Sequence, residues 1–219
     1  MKIGVIVAMQ SELAPILNKL PYTETQVAGK TVYRTQIGEN EGFILRSGVG
    51  EIAAAAATQF LISVCGVEAV LNVGVAGSLD KDLKVGDTVL VKGVAHYDFD
   101  TSALDGIPCG RYSEFDSVVV PCDLALAQKM LKTAGVMKTA VVASGDKFVA
   151  DSALKNRLCT EFGAGLAEME CAGVVLTAAR NGIPAVVVKI VSDNADENAI
   201  VDFDAMFASN ADVIADFLA

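Results

Sequence analysis

Three acids stand where an acid has little reason to be. Glu170 lies in Ala167-Glu168-Met169-Glu170-Cys171-Ala172 and opens a helix-like segment, 172–180. Asp193 lies in Val191-Ser192-Asp193-Asn194-Ala195-Asp196 and follows a strand-like apolar run, 185–191. Glu12 is near the N-terminus. A carboxylate among apolar neighbours is costly if buried, so each must be paired, solvated or functional. Two acids at element ends, joined by a third, suggest acid/base chemistry on a small polar substrate. The bland alternatives stay open at this point. Glu12 alone reads as an exposed first-turn acid favoured by the helix dipole. Glu168 and Glu170 are two apart, so they should project to different sides, with at most one in any given site.

The remaining composition narrows the chemistry. His96 is the single histidine and there is no tryptophan, so a Ser-His-Asp or Cys-His system would have to run through His96. The five cysteines (65, 109, 122, 159 and 171) are odd in number, show no C-x-x-C spacing and read as free buried thiols. A zinc site has no supporting ligand spacing. With 17 basic and 27 acidic residues, a net charge of -10 argues against nucleic acid or an anionic membrane as main partner. No apolar run reaches the roughly 18–20 residues of a membrane span, and the opening Met1-Lys2-Ile3-Gly4-Val5-Ile6-Val7-Ala8 reads as a buried first strand rather than a signal peptide. The expectation is a cytoplasmic protein.

The elements that must position these acids alternate between strand and helix patterns. Strands are expected at 2–8, 69–75, 87–95, 138–144 and 185–191, with a hairpin at 31–37 and 42–47 turning at 38–41. Helices are expected at 11–20 with Ser11 as N-cap, 51–64, 123–134, 152–162, 172–181 and about 204–218. The segment 98–115 is irregular and of a length often found in lids or binding loops. Asn72-Val73-Gly74-Val75-Ala76-Gly77 reads as a tight turn in a packed core or as backbone approaching a ligand, and it lacks both the dinucleotide fingerprint and the phosphate-loop Gly-Lys-Ser/Thr. Phe148, just past a strand end, could offer a stacking face. The whole is read as one α/β domain over residues 1–219, a three-layer sandwich with a mixed central sheet flanked by helices.

An ordered set of short motifs carries a resemblance. These are Lys2-Ile3-Gly4-Val5-Ile6-x-Ala8-Met9 with Glu12, Ser47-Gly48-Val49-Gly50, Asn72-x-Gly74-x-Ala76-Gly77, Leu83-Lys84-Val85-Gly86-Asp87, Ser144-Gly145-Asp146-x-Phe148, Glu168-Met169-Glu170 and Ser192-Asp193-x-Ala195-Asp196. In that order they resemble the nucleoside phosphorylase/hydrolase superfamily, and within it the bacterial 5'-methylthioadenosine/S-adenosylhomocysteine nucleosidases.

The resemblance implies hydrolysis of the bond between adenine and a 5'-thio-substituted ribose, with no metal or cofactor. It assigns Asp193 to protonation of adenine N7, Glu12 to the attacking water, and Glu170 to the ribose hydroxyls and the oxocarbenium-like centre. Phe148 would stack on adenine, the Val149 backbone would read its edge, and Glu168 and Met169 would line the ribose side. Val75, Lys189 and Ser192 fall at further binding positions, while Val49, Thr101, Leu104 and Phe203 would form the 5'-thio pocket. The segment 98–115 would reach the neighbouring subunit of a homodimer. Where phosphorylases of this superfamily carry a phosphate loop with an arginine, this chain has Ala8-Met9-Gln10-Ser11-Glu12, an acid that repels phosphate. Val75 stands where serine is usual, and Lys189 stands where arginine is usual. The rival readings are a hydrolase or phosphorylase of another purine nucleoside, such as a deoxyfutalosine, and a non-catalytic nucleoside-binding or storage protein.

Overall fold

Alternate residues of three buried strands point into two separate cores, as the two-residue period of a strand dictates. The strands are β1 (Lys2–Val7), β5 (Ala69–Ser78) and β10 (Ala185–Asp193). Val5, Leu71, Val73, Val186 and Val188 pack with Leu13, Ile16, Ala127 and Met206 on one face. These come from α1 (Gln10–Lys19), α4 (Leu124–Met130) and α7 (Ala199–Asn210). Ile6, Val70 and Val187 pack on the other face with Ala54, Ala57, Cys171 and Val174. That face is covered by α2 (Glu51–Phe60), which runs on into one wide turn at Leu61–Cys65, and by α6 (Cys171–Arg180). The result is helix, sheet, helix. The computed structural model describes residues 1–130 and 137–210, with side chains through Met206.

The described residues form a ten-stranded mixed sheet. Its outer part is a meander of β2 (Tyr22–Val27), β3 (Lys30–Ile37) and β4 (Asn40–Arg46), with β4 lying parallel to β1. Its inner part includes β6 (Thr88–His96), the short β7 (Val120–Pro121), β8 (Lys138–Ser144) and β9 (Leu166–Glu168). Strands β10, β6, β8, β9 and β5 pair in sequence, and β10 pairs again with β5, so these five close into a ring. Register then sets one row across the ring, Ala143 opposite Ala167, Ala167 opposite Gly77 and Gly77 opposite Asp193, with Ser144 opposite Glu168 one residue further on. Strand pairing alone thus brings Glu168 and Asp193 to the same end of β5.

Several expectations need correction. The glycine-rich stretch 74–78 is not a turn but the second half of β5, and neither Gly74 nor Gly77 has positive φ. The reason is close approach: a Cβ on Gly74 would lie 2.7 Å from Glu12 Oε1, and one on Gly77 would lie 2.7 Å from Asp193 Oδ1. Met9, not Ser11, caps α1. The strand β2 was not expected because Tyr22, Thr23, Glu24 and Gln26 are exposed or polar and give no buried alternation. The 98–115 segment contains one short helix, α3 (Ser102–Asp105). The last helix begins earlier than expected, and residues 131–134 and 211–218 of two expected helices lie outside the described residues. The helix expected at 152–162 is α5 (Ser152–Phe162), capped by the Asp151 side chain accepting from the Leu154 N–H at 2.7 Å.

Candidate active site

A cleft of about 150 Å³ opens at the end of this row. Glu12, Val49, Val75, Phe148, Glu168, Met169, Glu170, Ser192, Asp193 and Phe203 all line it, and so do Ala8, Met9, Ala76, Gly77 and Ala167, which were not expected. The rim is apolar: Val49 is 54% exposed, Phe148 is 41% exposed, and the Phe148 ring meets Phe203 edge to face with centroids 5.9 Å apart. Val149 borders a smaller adjoining cavity with Phe148, Met169 and Asp193.

Each acid is held by donors. Glu12 enters from the third residue of α1, and its Oε2 accepts from the N–H groups of Ala8 (2.9 Å) and Met9 (2.8 Å). Its Oε1 accepts from the Val75 N–H at 3.1 Å. Burial raises its pKa, against the pull of the Lys189 charge and the three amides. Asp193 ends β10; its Oδ2 accepts from Ser192 Oγ (2.6 Å) and its Oδ1 from the Ala195 N–H (2.8 Å). Burial again raises its pKa and so favours the neutral acid. Glu170 sits at the N-cap of α6, where its Oε1 accepts from the Gly50 N–H at 3.0 Å. Burial first, and the nearby Glu168 charge second, push it up to about 7.

Glu168 and Glu170 both border the cleft, contrary to the expected opposite projection. Strand β9 ends at Glu168 and the chain bends before α6, so strand alternation does not extend to Glu170. The Glu168 carboxylate turns inward to Lys189 Nζ (2.9 Å) and Ser144 Oγ (2.5 Å). Burial works to raise its pKa, but Lys189 and its hydrogen-bond donors outweigh this and hold it low. Lys189 does not line the cleft, as a binding residue would; it is buried behind Glu168. Burial disfavours its ammonium, yet the surrounding acids raise its pKa. Among the described residues it is the one buried cation, and the buried acids that act on it are Glu168, Glu170 and Glu12. Thr101 and Leu104 are not brought to this cleft either: they lie on and beside α3, with Leu104 88% exposed and the Thr101 hydroxyl bonded to Asp105.

Sequence reasoning passed over Glu51, which is buried against Ser144 and Gly173. Among the described residues no group of three or more His, Cys, Asp or Glu side chains is arranged to hold a metal ion. No described helix is long and apolar enough to cross a membrane. The fit of Gly74 to Glu12 gives a direct check on how tightly this acid is set. Gly74→Ala should lower stability by about 1–3 kcal/mol, read from the urea unfolding midpoint. A midpoint equal to the wild type would mean that Glu12 has room to retreat.

The fold and cleft define an α/β protein with a carboxyl-lined site under an aromatic rim, suited to a small planar ligand with a polar end. The chain belongs to the phosphorylase superfamily, whose pattern matches residues 2–219. It is 35% identical over 222 residues to the aminodeoxyfutalosine nucleosidase of Helicobacter pylori, covering 99% of this chain and 96% of that one. It is 33% identical over 210 residues to the 5'-methylthioadenosine/S-adenosylhomocysteine nucleosidase of Shewanella piezotolerans, covering 93% and 91%. Among solved structures, it superposes on the Helicobacter pylori 5'-methylthioadenosine/S-adenosylhomocysteine nucleosidase with butyl-thio-DADMe-Immucillin-A at a TM-score of 0.89. That pair shares 35% identity and covers 100% of this chain and 96% of the other.

Proposed function

We propose that this chain is a purine nucleosidase that hydrolyses the N-glycosidic bond of 5'-methylthioadenosine and S-adenosylhomocysteine, releasing adenine and a 5-thioribose product. The observation that carries this reading is the convergence of three separately held acids, Glu12, Glu170 and Asp193, on one cleft. Asp193 supplies a proton to N7, so the purine leaves as a neutral group; the raised pKa of its buried carboxyl supports that duty. Glu12 orients and deprotonates the attacking water, and its three amide donors fix the direction in which the carboxylate faces. Glu170 binds the ribose hydroxyls and faces the positive charge that grows on the sugar. With a pKa of about 7, its carboxyl is part-protonated in the free cleft at neutral pH, and the developing cation draws it to the ionised form. Phe148 stacks on adenine, with Phe203 braced against its edge. Met169 packs on the sugar.

Water is favoured over phosphate as nucleophile on electrostatic grounds. The loop at Ala8–Glu12 presents a carboxylate, and Lys189 is committed to Glu168 at 2.9 Å. The protein works as a homodimer in the cytoplasm in this reading. Support for the dimer is that Leu104, a large apolar side chain, is 88% exposed and outside its own cleft. Support for the compartment is that all five cysteines are free.

A second reading, a nucleosidase for aminodeoxyfutalosine, is favoured by the 35% identity to the Helicobacter pylori enzyme of that name. One experiment addresses both. Adenine release from 5'-methylthioadenosine is expected to proceed equally well in phosphate-free buffer, and strict dependence on phosphate would sink the hydrolase assignment. Comparing kcat/KM for 5'-methylthioadenosine, S-adenosylhomocysteine and aminodeoxyfutalosine in the same assay then decides the preferred 5' group.

A further inference from the structure

We propose that Glu51 is a proton-holding positioning residue: a neutral carboxylic acid beneath the cleft that, through Ser144, holds Glu168 in place for Glu170 and Lys189.

The hydrogens available around Ser144 fix where the proton sits. Ser144 Oγ accepts from the Ala172 N–H at 2.9 Å, lies 2.5 Å from Glu168 Oε1, and is also in hydrogen-bond contact with Glu51 Oε1. A hydroxyl has one proton and cannot donate to two carboxylates at once. The other neighbours of Glu168 are Lys189 Nζ (2.9 Å), the Glu170 N–H (2.9 Å) and the Cys171 N–H (3.0 Å), and every one is a donor. Glu168 is therefore acceptor-only, and Ser144 gives its proton to Glu168. Contact between Ser144 and Glu51 then requires the proton to sit on Glu51 Oε1. Glu51 Oε2 is left to accept from the Gly173 N–H, as observed. Gly173 is required there, since a Cβ would collide with the Glu51 carbonyl oxygen.

The groups facing Glu51 come from several elements. Glu168 and Glu170 approach from the β9–α6 bend, and Asp146, following β8, accepts the Glu51 N–H at 2.7 Å. Tyr97 and Tyr112 also feel its charge, and Lys189 stands behind Glu168. Burial, reinforced by the Glu168 charge, pushes the Glu51 carboxyl up to about 8. Above that pH Ser144 would sit between two anions and could answer only one, loosening Glu168 and with it the Glu170 backbone. The kinetic readout rests on the nucleosidase reading; the proton count does not.

Glu51→Gln tests it, because the amide copies the neutral acid: its NH2 can donate to Ser144 and its carbonyl can accept from Gly173. The variant is expected to fold and to keep kcat/KM at pH 7 within about twofold of the wild type. Its activity should extend to higher pH, the alkaline limb moving up by a unit or more. Stability gives an independent measure. A carboxyl raised from 4.5 to about 8 on folding makes the wild type lose stability as pH rises through that window. The Tm of the variant minus that of the wild type should therefore grow from pH 5 to pH 8 and then level off. Failure of the variant to fold, a tenfold loss at pH 7, an unmoved alkaline limb, or a Tm gap independent of pH would each overturn the proposal. If the wild type releases no adenine, the nucleosidase reading fails, and the Tm comparison alone decides the state of Glu51.

Discussion

Replacing Asp193 by Asn is expected to lower adenine release by about 10²–10⁴-fold, the range for loss of a positioned general acid. Substrate binding should change little. The side chain is held by two donors, Ser192 Oγ at 2.6 Å and the Ala195 N–H at 2.8 Å, and asparagine can keep its carbonyl on one of them. What asparagine lacks is a proton acidic enough to transfer to a purine nitrogen. The geometry survives and the chemistry does not. Single-turnover kinetics would measure the loss, and calorimetric titration with 5'-methylthioadenosine would measure retained affinity. Turnover equal to the wild type would mean that another group protonates the base.

The second large effect is on stability. Lys189→Met leaves Glu168 buried without its cation, and removal of one partner of a buried pair costs about 3–5 kcal/mol. The remaining donors around Glu168, from Ser144, Glu170 and Cys171, soften this but supply no full charge. Urea unfolding at pH 7 would read the loss. Adding Glu168→Gln to the same chain removes the orphan charge and should recover more than half of it. A double variant no better than Lys189→Met would show that the damage lies in packing around the lysine stem instead.

The residues that sequence could reach were those whose neighbours made them conspicuous. Glu170 and Asp193 stand next to apolar runs at element ends, and the cleft indeed brings them together with Glu12. The layers were legible too, because β1, β5 and β10 carry long apolar runs with helices between them. Glu51 was not legible. An acid at the first position of a helix reads as exposed and dipole-favoured, and its burial comes from Ser144 and Gly173, far away in the chain. Lys189 reads as a binding residue only through the resemblance, because it stands where arginine is usual. In fact β10 is buried on both faces, and its lysine points to Glu168 rather than to the cleft. Glycine misled in the other direction: in β5 it marks the approach of two carboxylates, where the composition alone suggested a turn.

The row of register partners that crosses the ring from Ala167, the neighbour of Glu168, through Gly77 to Asp193 acts as a ruler. Ala167 is on β9 and Asp193 on β10, with β5 between them, so two inter-strand spacings, about 10 Å, separate what the proposed function makes the sugar side from the base side. That length belongs to the backbone pitch and is the same whatever side chains line the rim. In the proposed function the span of a purine joined to a ribose is thus measured by the sheet, while the far end of the ligand would meet exposed residues outside it. Such a division lets one scaffold change the tail it accepts without re-gauging the bond it breaks.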